Sequence, residues 1–415
     1  MKNKVFIFCI LLLPSLTFIS GESKAQWKEM SNGLGNNKFI SSISKSGNNI
    51  YISVYNNGIY KSTNNGIDWI QTSLGNLNTI CVTASGNNVF TSVYSSCNNS
   101  SGIFHSTDYG ESWKQTSLDE RRIESLAIIG NNVFAGSWAC IHPGGVYKSS
   151  INGMNWENTL IDFDVESLVV SDTTLYAGTI SNPFSAGGLY KSSDKGVTWS
   201  LLGLINRSIW SSAVSGDKIY AGTFTGIYIT TNNGVNWSQT TLNNQRIRSI
   251  VVSGEYVLAG TETGGVFLSR DNGISWVKKN EGLDTLNVKT LLISNDYVFA
   301  GTLGKGVYRR SLSEIVNVNQ ISKIIPTEYT LYQNYPNPFN PNSNIKFNIP
   351  QTAQTKLTIF DALGKKITTL VNEILQAGVY QYQFSADNHQ LPSGVYFYNL
   401  QSGEFSQTKR MVLIK

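Results

Sequence analysis

Charge is scarce in this sequence: Asp, Glu, Lys and Arg together make up 14% of 415 residues, against a typical share of about 25%. The formal net charge is +5, and removing residues 1–25, which hold three lysines and one glutamate, lowers it to +3. A balance that small argues against the dense basic surface of a nucleic-acid binder. Histidine is rarer still. His105, His142 and His389 are scattered along the chain and make no metal-ligand spacing. No Ser/His/Asp arrangement stands out, and glycine falls always in turns between strand-like segments, so no phosphate loop is indicated. No metal and no cofactor are expected.

Long apolar runs are lacking too, with one exception. The stretch "VFIFCILLLPSLTFI" follows Lys2 and Lys4, is broken by Pro14, and is too short to span a membrane comfortably. With "SKA" ending at Ala25, residues 1–25 read as an export signal peptide. Cys9 lies inside the run and not at its end, which argues against a lipoprotein anchor. No other segment is apolar enough for a transmembrane span, so the exported protein is expected to be soluble. Export permits disulfides, and three cysteines remain: Cys81, Cys97 and Cys140. An odd count leaves at least one thiol free.

What the chain has in abundance is repetition. "GIYKSTNNGIDW" (58–69) returns as "GIFHSTDYGESW" (102–113), "GVYKSSINGMNW" (145–156), "GLYKSSDKGVTW" (188–199), "GIYITTNNGVNW" (226–237) and "GVFLSRDNGISW" (265–276). A second phrase, of the type "LYAGT", precedes each copy. Short alternating segments separated by Gly/Asn turns are a strand pattern. The Gly that opens the phrase falls at 58, 102, 145, 188, 226, 265 and 306, which makes seven units spaced 38 to 44 residues apart. A four-stranded unit of that length cannot bury both faces alone, and a closed ring packs each sheet on two neighbours. The expected fold is therefore all-β, a seven-bladed β-propeller. The seventh unit, "GKGVYRRS", has no Trp after it, while "QWKEMSNGLG" (26–35) looks like the stretch after the last box, "SWVKKNEGLD" (275–284). Trp27 is expected to supply the outer strand of the blade whose inner strands come from about 288–311, so that N- and C-terminal strands close the ring. Seven of the nine tryptophans share this register: Trp27, Trp69, Trp113, Trp156, Trp199, Trp237 and Trp276.

The phrases "STDYGESW" (106–113), "SSDKGVTW" (192–199) and "SRDNGISW" (269–276) resemble the Asp-box, or BNR, repeat S-x-D-x-G-x-x-W. That repeat occurs in sialidases, sortilin-type receptors, xyloglucan-cleaving enzymes and a photosystem assembly factor. The resemblance covers roughly residues 26–311 and implies a fold, not an activity. Asp or Asn at the acidic position would bond backbone amides in the turn, Gly would take positive φ, and Trp would cover the sheet. The acidic position holds Asp108, Asp194 and Asp271, but also Asn64, Asn232 and Ile151, so it is not a shared metal ligand. A sialidase would need an arginine cluster, a Tyr/Glu pair and an Arg-Ile-Pro phrase, none recognisable here. The xyloglucan-cleaving relatives usually combine two propellers where this chain has one.

On the face opposite the boxes, three consecutive units carry long connectors: "SVYSSCNNSSG" (92–102), "SWACIHPGG" (137–145) and "TISNPFSAGG" (179–188). They form an expected wall bearing Tyr94, Trp138, His142 and Phe184, aromatic content that stacks on a sugar or anchors a protein. Cys97 and Cys140 fall in equivalent loops of adjacent units and are the candidate disulfide, while Cys81 reads as a small buried hydrophobe. The innermost strands align with Ser41, Ile80, Glu124, Glu166, Trp210, Arg248 and Lys289 at one level, expected to ring the channel mouth. The mouth would then have an acidic side (Glu124 and Glu166, near Asp162 and Asp164) and a basic side (Arg248 and Lys289, near Arg207 and Arg246). Glu124 and Glu166 would serve as acid and base of a glycoside hydrolase if about 5 to 9 Å apart; the alternative is a mutually neutralising, solvated mouth.

After about residue 312 the repeat stops. Residues 328–415 read as about seven alternating strands of a small immunoglobulin-like β-sandwich, joined to the propeller (26–312) by a linker at 313–327. The phrases "NYPNPFNP" (334–341), "IFDALGKKI" (359–367), "LPSGVYFYNL" (391–400) and "KRMVLIK" (409–415) closely resemble the type A C-terminal sorting domain of the type IX secretion system. The resemblance implies export across both membranes, recognition by the translocon and a sorting peptidase, and release or attachment at the cell surface. The propeller is then exported cargo. Its expected role is non-catalytic binding of a glycan or a protein, with a secreted glycoside hydrolase or a purely structural surface protein as alternatives.

Overall fold

The computed structural model describes residues 26–94, 101–119, 121–139, 144–161, 163–183, 185–254, 256–312, 315, 318–322, 325–386 and 391–415. The expected leader at 1–25, the Cys97/Cys140 pair, Asp162, His142 and Phe184 lie outside them.

Short alternating segments satisfy their backbone groups only by pairing, and each repeat pairs within itself. The first forms a four-stranded antiparallel meander of Ile40–Ser46, Asn49–Val54, Gly58–Ser62 and Ile70–Gln71. Five more sheets follow in the same order, starting from Thr79–Ser85, Arg122–Ile129, Val165–Ser171, Ser211–Ser215 and Ile247–Ser253. The next sheet takes Val288–Ser294, Tyr297–Thr302 and Gly306–Ser311 from one end of this region and Lys28–Glu29 from the other. Lys28 lies opposite Arg309 and Glu29 opposite Tyr308. First strands of successive sheets touch, and Val288–Ser294 touches Ile40–Ser46.

The core lies between sheets, because each sheet has two apolar faces to bury. Phe299 and Val307 of the last sheet pack with Ile40, Ile52 and Trp69 of the first. The tryptophans do more than cover their own sheet. Trp27 Nε1 donates to Lys279 O at 2.6 Å, Trp69 Nε1 to Met30 O at 2.7 Å, and Trp199 Nε1 to Thr159 Oγ1 at 3.3 Å, each a partner in the preceding sheet. Trp113, Trp156 and Trp276 instead donate to the Gly carbonyl of their own box turn, at 3.1 Å each, so the indole ties adjacent sheets at some blades and closes its own turn at others.

The box turns are built from local hydrogen bonds. Asp108 accepts from Ser106 Oγ at 2.7 Å, Ser112 N at 2.9 Å and Ser112 Oγ at 2.6 Å, while Gly110 N donates to Ser106 Oγ at 2.7 Å. Asp194 and Asp271 repeat this pattern with Thr198 and Ser275. The Ser112 hydroxyl and amide pull the Asp108 carboxyl down to about 2. Positive φ falls on two residues of the turn: Gly110 (91°) and Tyr109 before it (60°).

The second unit is a sandwich of two four-stranded antiparallel sheets. One orders Val318–Ser322, Gly378–Ser385, Asn342–Ile349 and Thr330–Leu331; the other orders Lys366–Leu375, Ala353–Asp361, Gly394–Ser402 and Phe405–Leu413. Ile345, Phe347, Leu357, Ile359, Tyr398 and Leu400 are fully buried between them. Here the linker expectation needs correction: Val318–Ser322 lies inside 313–327 yet pairs as an edge strand, with Val318 opposite Tyr382. An edge strand needs only backbone partners on one side, so its sequence pattern is weak.

Candidate functional site

Six of the seven residues expected at the mouth sit at a break in strand register. Ser41, Ile80, Glu124, Glu166, Arg248 and Lys289 each fall where pairing with the second strand skips. A bulge frees one residue from the ladder and re-aims its side chain. Trp210, the seventh, directly precedes Ser211–Ser215, and its amide donates to Gly222 O at 2.8 Å.

Two arginine–aromatic clusters follow from this level. In the first, the Arg122 guanidinium lies 4.2 Å from the ring centre of Trp138 and 5.5 Å from that of Tyr94. Its Nε donates to Glu124 Oε1 at 2.5 Å. In the second, Trp210 meets Phe224 edge-on at 4.8 Å. Arg246 lies 4.0 Å from the Phe224 ring centre, and Arg248 4.7 Å from that of Trp210. Both guanidinium groups bond Glu262, at 2.7 and 3.1 Å. Stacked on rings and each ion-paired through one nitrogen, these arginines have their charge partly neutralised.

Glu166 is different. Its Oε2 is buried without a hydrogen-bond partner. Burial pushes its carboxyl up to about 7, the Glu124 carboxylate adds to the rise, and Lys289, Arg248 and Arg122 oppose it. These five groups, from four different sheets, therefore share one electrostatic environment. Glu124 is ion-paired with Arg122, whereas among the described residues Glu166 makes no ion pair and its Oε2 no hydrogen bond.

Two expected neighbours stand apart from this cluster. Arg207 stacks on Tyr228 at 4.5 Å, on the third strand of its sheet. Asp164 accepts from Ala139 N at 2.6 Å and Asn182 Nδ2 at 3.4 Å, so it ties together the flanks of two long loops. Cys81 is buried against Ser92 Oγ at 3.1 Å, and burial pushes its thiol up to about 12. Among the described residues no group of three or more His, Cys, Asp or Glu is arranged to hold a metal, and no helix is long and apolar enough to cross a membrane.

Arg122, Phe224 and Glu262 were missed by sequence reasoning, although a signal was present. Tyr94, Trp138, Phe224 and Glu262 occupy the same place, directly after the second strand's closing phrase, in "SVY", "GSW", "GTF" and "GTE". Aligning that position across the repeats would have drawn the short connectors into the site along with the long ones.

Residues 333–415 match the family described as "Secretion system C-terminal sorting domain". Those residues are a type IX secretion sorting domain. The protein is thus exported to the cell surface or the extracellular space, handled by the type IX system. No curated protein sequence matches the chain. Among solved structures, YCF48 from Cyanidioschyzon merolae is 15% identical, with a TM-score of 0.55 over 69% of this chain and 99% of its own. YCF48 bound to D1 peptide is 16% identical, with a TM-score of 0.53 over 67% of this chain and 94% of its own. An ancestral GH74 enzyme is 17% identical, with a TM-score of 0.53 over 94% of this chain and 64% of its own. Likeness at that level carries the fold alone, a β-propeller.

Proposed function

We propose that residues 26–312 form a seven-bladed propeller of Asp-box repeats, closed through Lys28–Glu29, that binds a glycan or a protein segment outside the cell without catalysis. The leader at 1–25 starts its export and the sandwich, from Val318 or soon after, completes it through the translocon and a sorting peptidase. The observation that carries the binding reading is the pair of arginine–aromatic clusters around Trp138 and Trp210. Flat apolar faces beside oriented donors suit a sugar ring or an aromatic or acidic peptide side chain. Tyr94 and Trp138 stand at the flanks of the long-loop wall, where His142 and Phe184 complete the proposed surface, and Arg248 and Lys289 line the mouth. Peptide binding has a precedent on this fold in the YCF48 complex with D1 peptide. A glycan array and a surface-protein pulldown, run with wild type, Trp138→Ala and Trp210→Ala, test the reading. At least a tenfold loss in one variant is expected, and retention of all binding in both would overturn it.

One observation favours a second reading. Glu166, with its carboxyl pushed up to about 7 beside Glu124, has the environment of a general acid in glycoside hydrolysis. Any hydrolysis detected should then vanish in Glu166→Gln and Glu124→Gln. Activity unchanged in both dismisses that assignment.

A further inference from the structure

A cleft away from the mouth arises from one short side chain and one missing carboxylate. After the aromatic of the third strand, four sheets carry a long basic residue: Lys61, Lys148, Lys191 and Arg309. Lys61 Nζ reaches the carbonyl of Tyr109 in the next box at 3.3 Å, and Arg309 Nη1 reaches that of Asn65 at 2.6 Å. The second sheet has His105 instead. Its ring lies flat on Phe90, centres 4.0 Å apart, and its Nε2 shares a 2.9 Å hydrogen bond with Asn88 Oδ1. The box that His105 faces is the one with Ile151 at the acidic position. There Asn152 Oδ1 takes over, accepting from Ser150 Oγ at 2.6 Å and Met154 N at 3.1 Å. Between the two sheets a cleft of about 450 Å³ remains, lined by His105, Trp113, Lys114, Ile151, Asn152 and Met154.

Its chemistry is specific. Ile151 and Met154 give it apolar walls, and Met154 is 54% exposed although apolar. Lys114, directly opposite His105 across the strands, is exposed and makes no ion pair among the described residues. Burial holds His105 below the ordinary imidazole value, so Lys114 is the cleft's cation at neutral pH. No carboxylate lines the cleft, and the Asn152 amide offers Nδ2 as a further donor. Apolar walls, one ammonium and neutral donors match a ligand with C–H faces, hydroxyls and a negative charge. The volume lies within the range of small-ligand sites, roughly 300–1,000 Å³.

We propose that this cleft binds an acidic oligosaccharide, with a uronic-acid carboxylate on Lys114 and a sugar face against Met154. The site is separate from the channel mouth and does not depend on the reading given to it. The test titrates the full chain with tetragalacturonic acid and with neutral cellotetraose, followed by calorimetry. Saturable binding of the acidic tetramer is expected, at least tenfold tighter than of the neutral one. Lys114→Met and Lys114→Glu should each weaken it tenfold or more, Met154→Ala several-fold, and Trp210→Ala not at all. Lys114 and Met154 are exposed, and unchanged thermal melts would show that the variants fold. No saturable binding, equal affinity for both tetramers, or binding lost in Trp210→Ala but kept in both Lys114 variants would each overturn the proposal. The last result would move the sugar to the mouth.

Discussion

Replacing Trp27 with Ala tests the proposed closure of the ring by the N-terminal strand. Trp27 is 1% exposed and packs with Leu258, Val266, Leu268 and Tyr308, side chains of the last two sheets. Its indole donates to Lys279 O at 2.6 Å and its amide to Glu281 O at 2.7 Å, while the strand it introduces, Lys28–Glu29, is only two residues long. Truncating a buried Trp to Ala costs about 3–5 kcal/mol, and leaving the Lys279 carbonyl without its donor adds about 1 kcal/mol. The expected loss is therefore about 4–6 kcal/mol, which for a domain of this size lowers the melting temperature by roughly 10 °C. Urea unfolding and thermal circular dichroism of Trp27→Ala, with Trp69→Ala alongside, measure it. Trp69 is 3% exposed and bonds the preceding sheet in the same way, but its sheet is continuous in sequence. A large loss at Trp69 with less than about 1 kcal/mol at Trp27 would refute the view that the N-terminal strand closes the ring.

Two further outcomes are expected. Because the Glu166 carboxyl rises from its ordinary 4.5 to about 7 on folding, the folded state holds the proton more tightly. Its destabilisation therefore grows as pH rises from about 4.5 to about 7 and is complete above that. Glu166→Gln should stabilise the protein by about 1–3 kcal/mol at pH 8 and leave it unchanged at pH 4; equal effects in urea titrations at both pH values would contradict this. Deleting residues 333–415, the sorting domain, should leave the propeller inside the cell envelope, and its appearance at wild-type levels on the surface or in the medium, by fractionation and immunoblot, would contradict that assignment.

The all-β character and the sorting domain were legible in the sequence because both rest on local signals. Alternation, Gly/Asn turns and the phrase ending in Trp report a strand order that hydrogen bonding within each repeat makes unavoidable, and "NYPNPFNP" and "LPSGVYFYNL" are contiguous. The level of Glu124, Glu166, Arg248 and Lys289 was also legible, since equivalent repeats place equivalent residues together. The strand Val318–Ser322 was not, because an edge partner sixty residues away leaves little pattern in its own stretch. Nor was the pairing of charges. Repeat alignment put Arg246 and Arg248 on a basic side of the mouth, opposite the acidic one, whereas their guanidinium groups close on Glu262 from the next turn of their own sheet. The sequence by itself determined the repeating strands, their turns and the route out of the cell, all of which follow from interactions within about forty residues. Only the tertiary structure decided that Glu166 Oε2 is left buried without a hydrogen-bond partner and that His105 leaves a cleft beside Ile151. Those outcomes depend on how far a side chain reaches across the gap between two sheets, a distance fixed by packing and not by spacing along the chain.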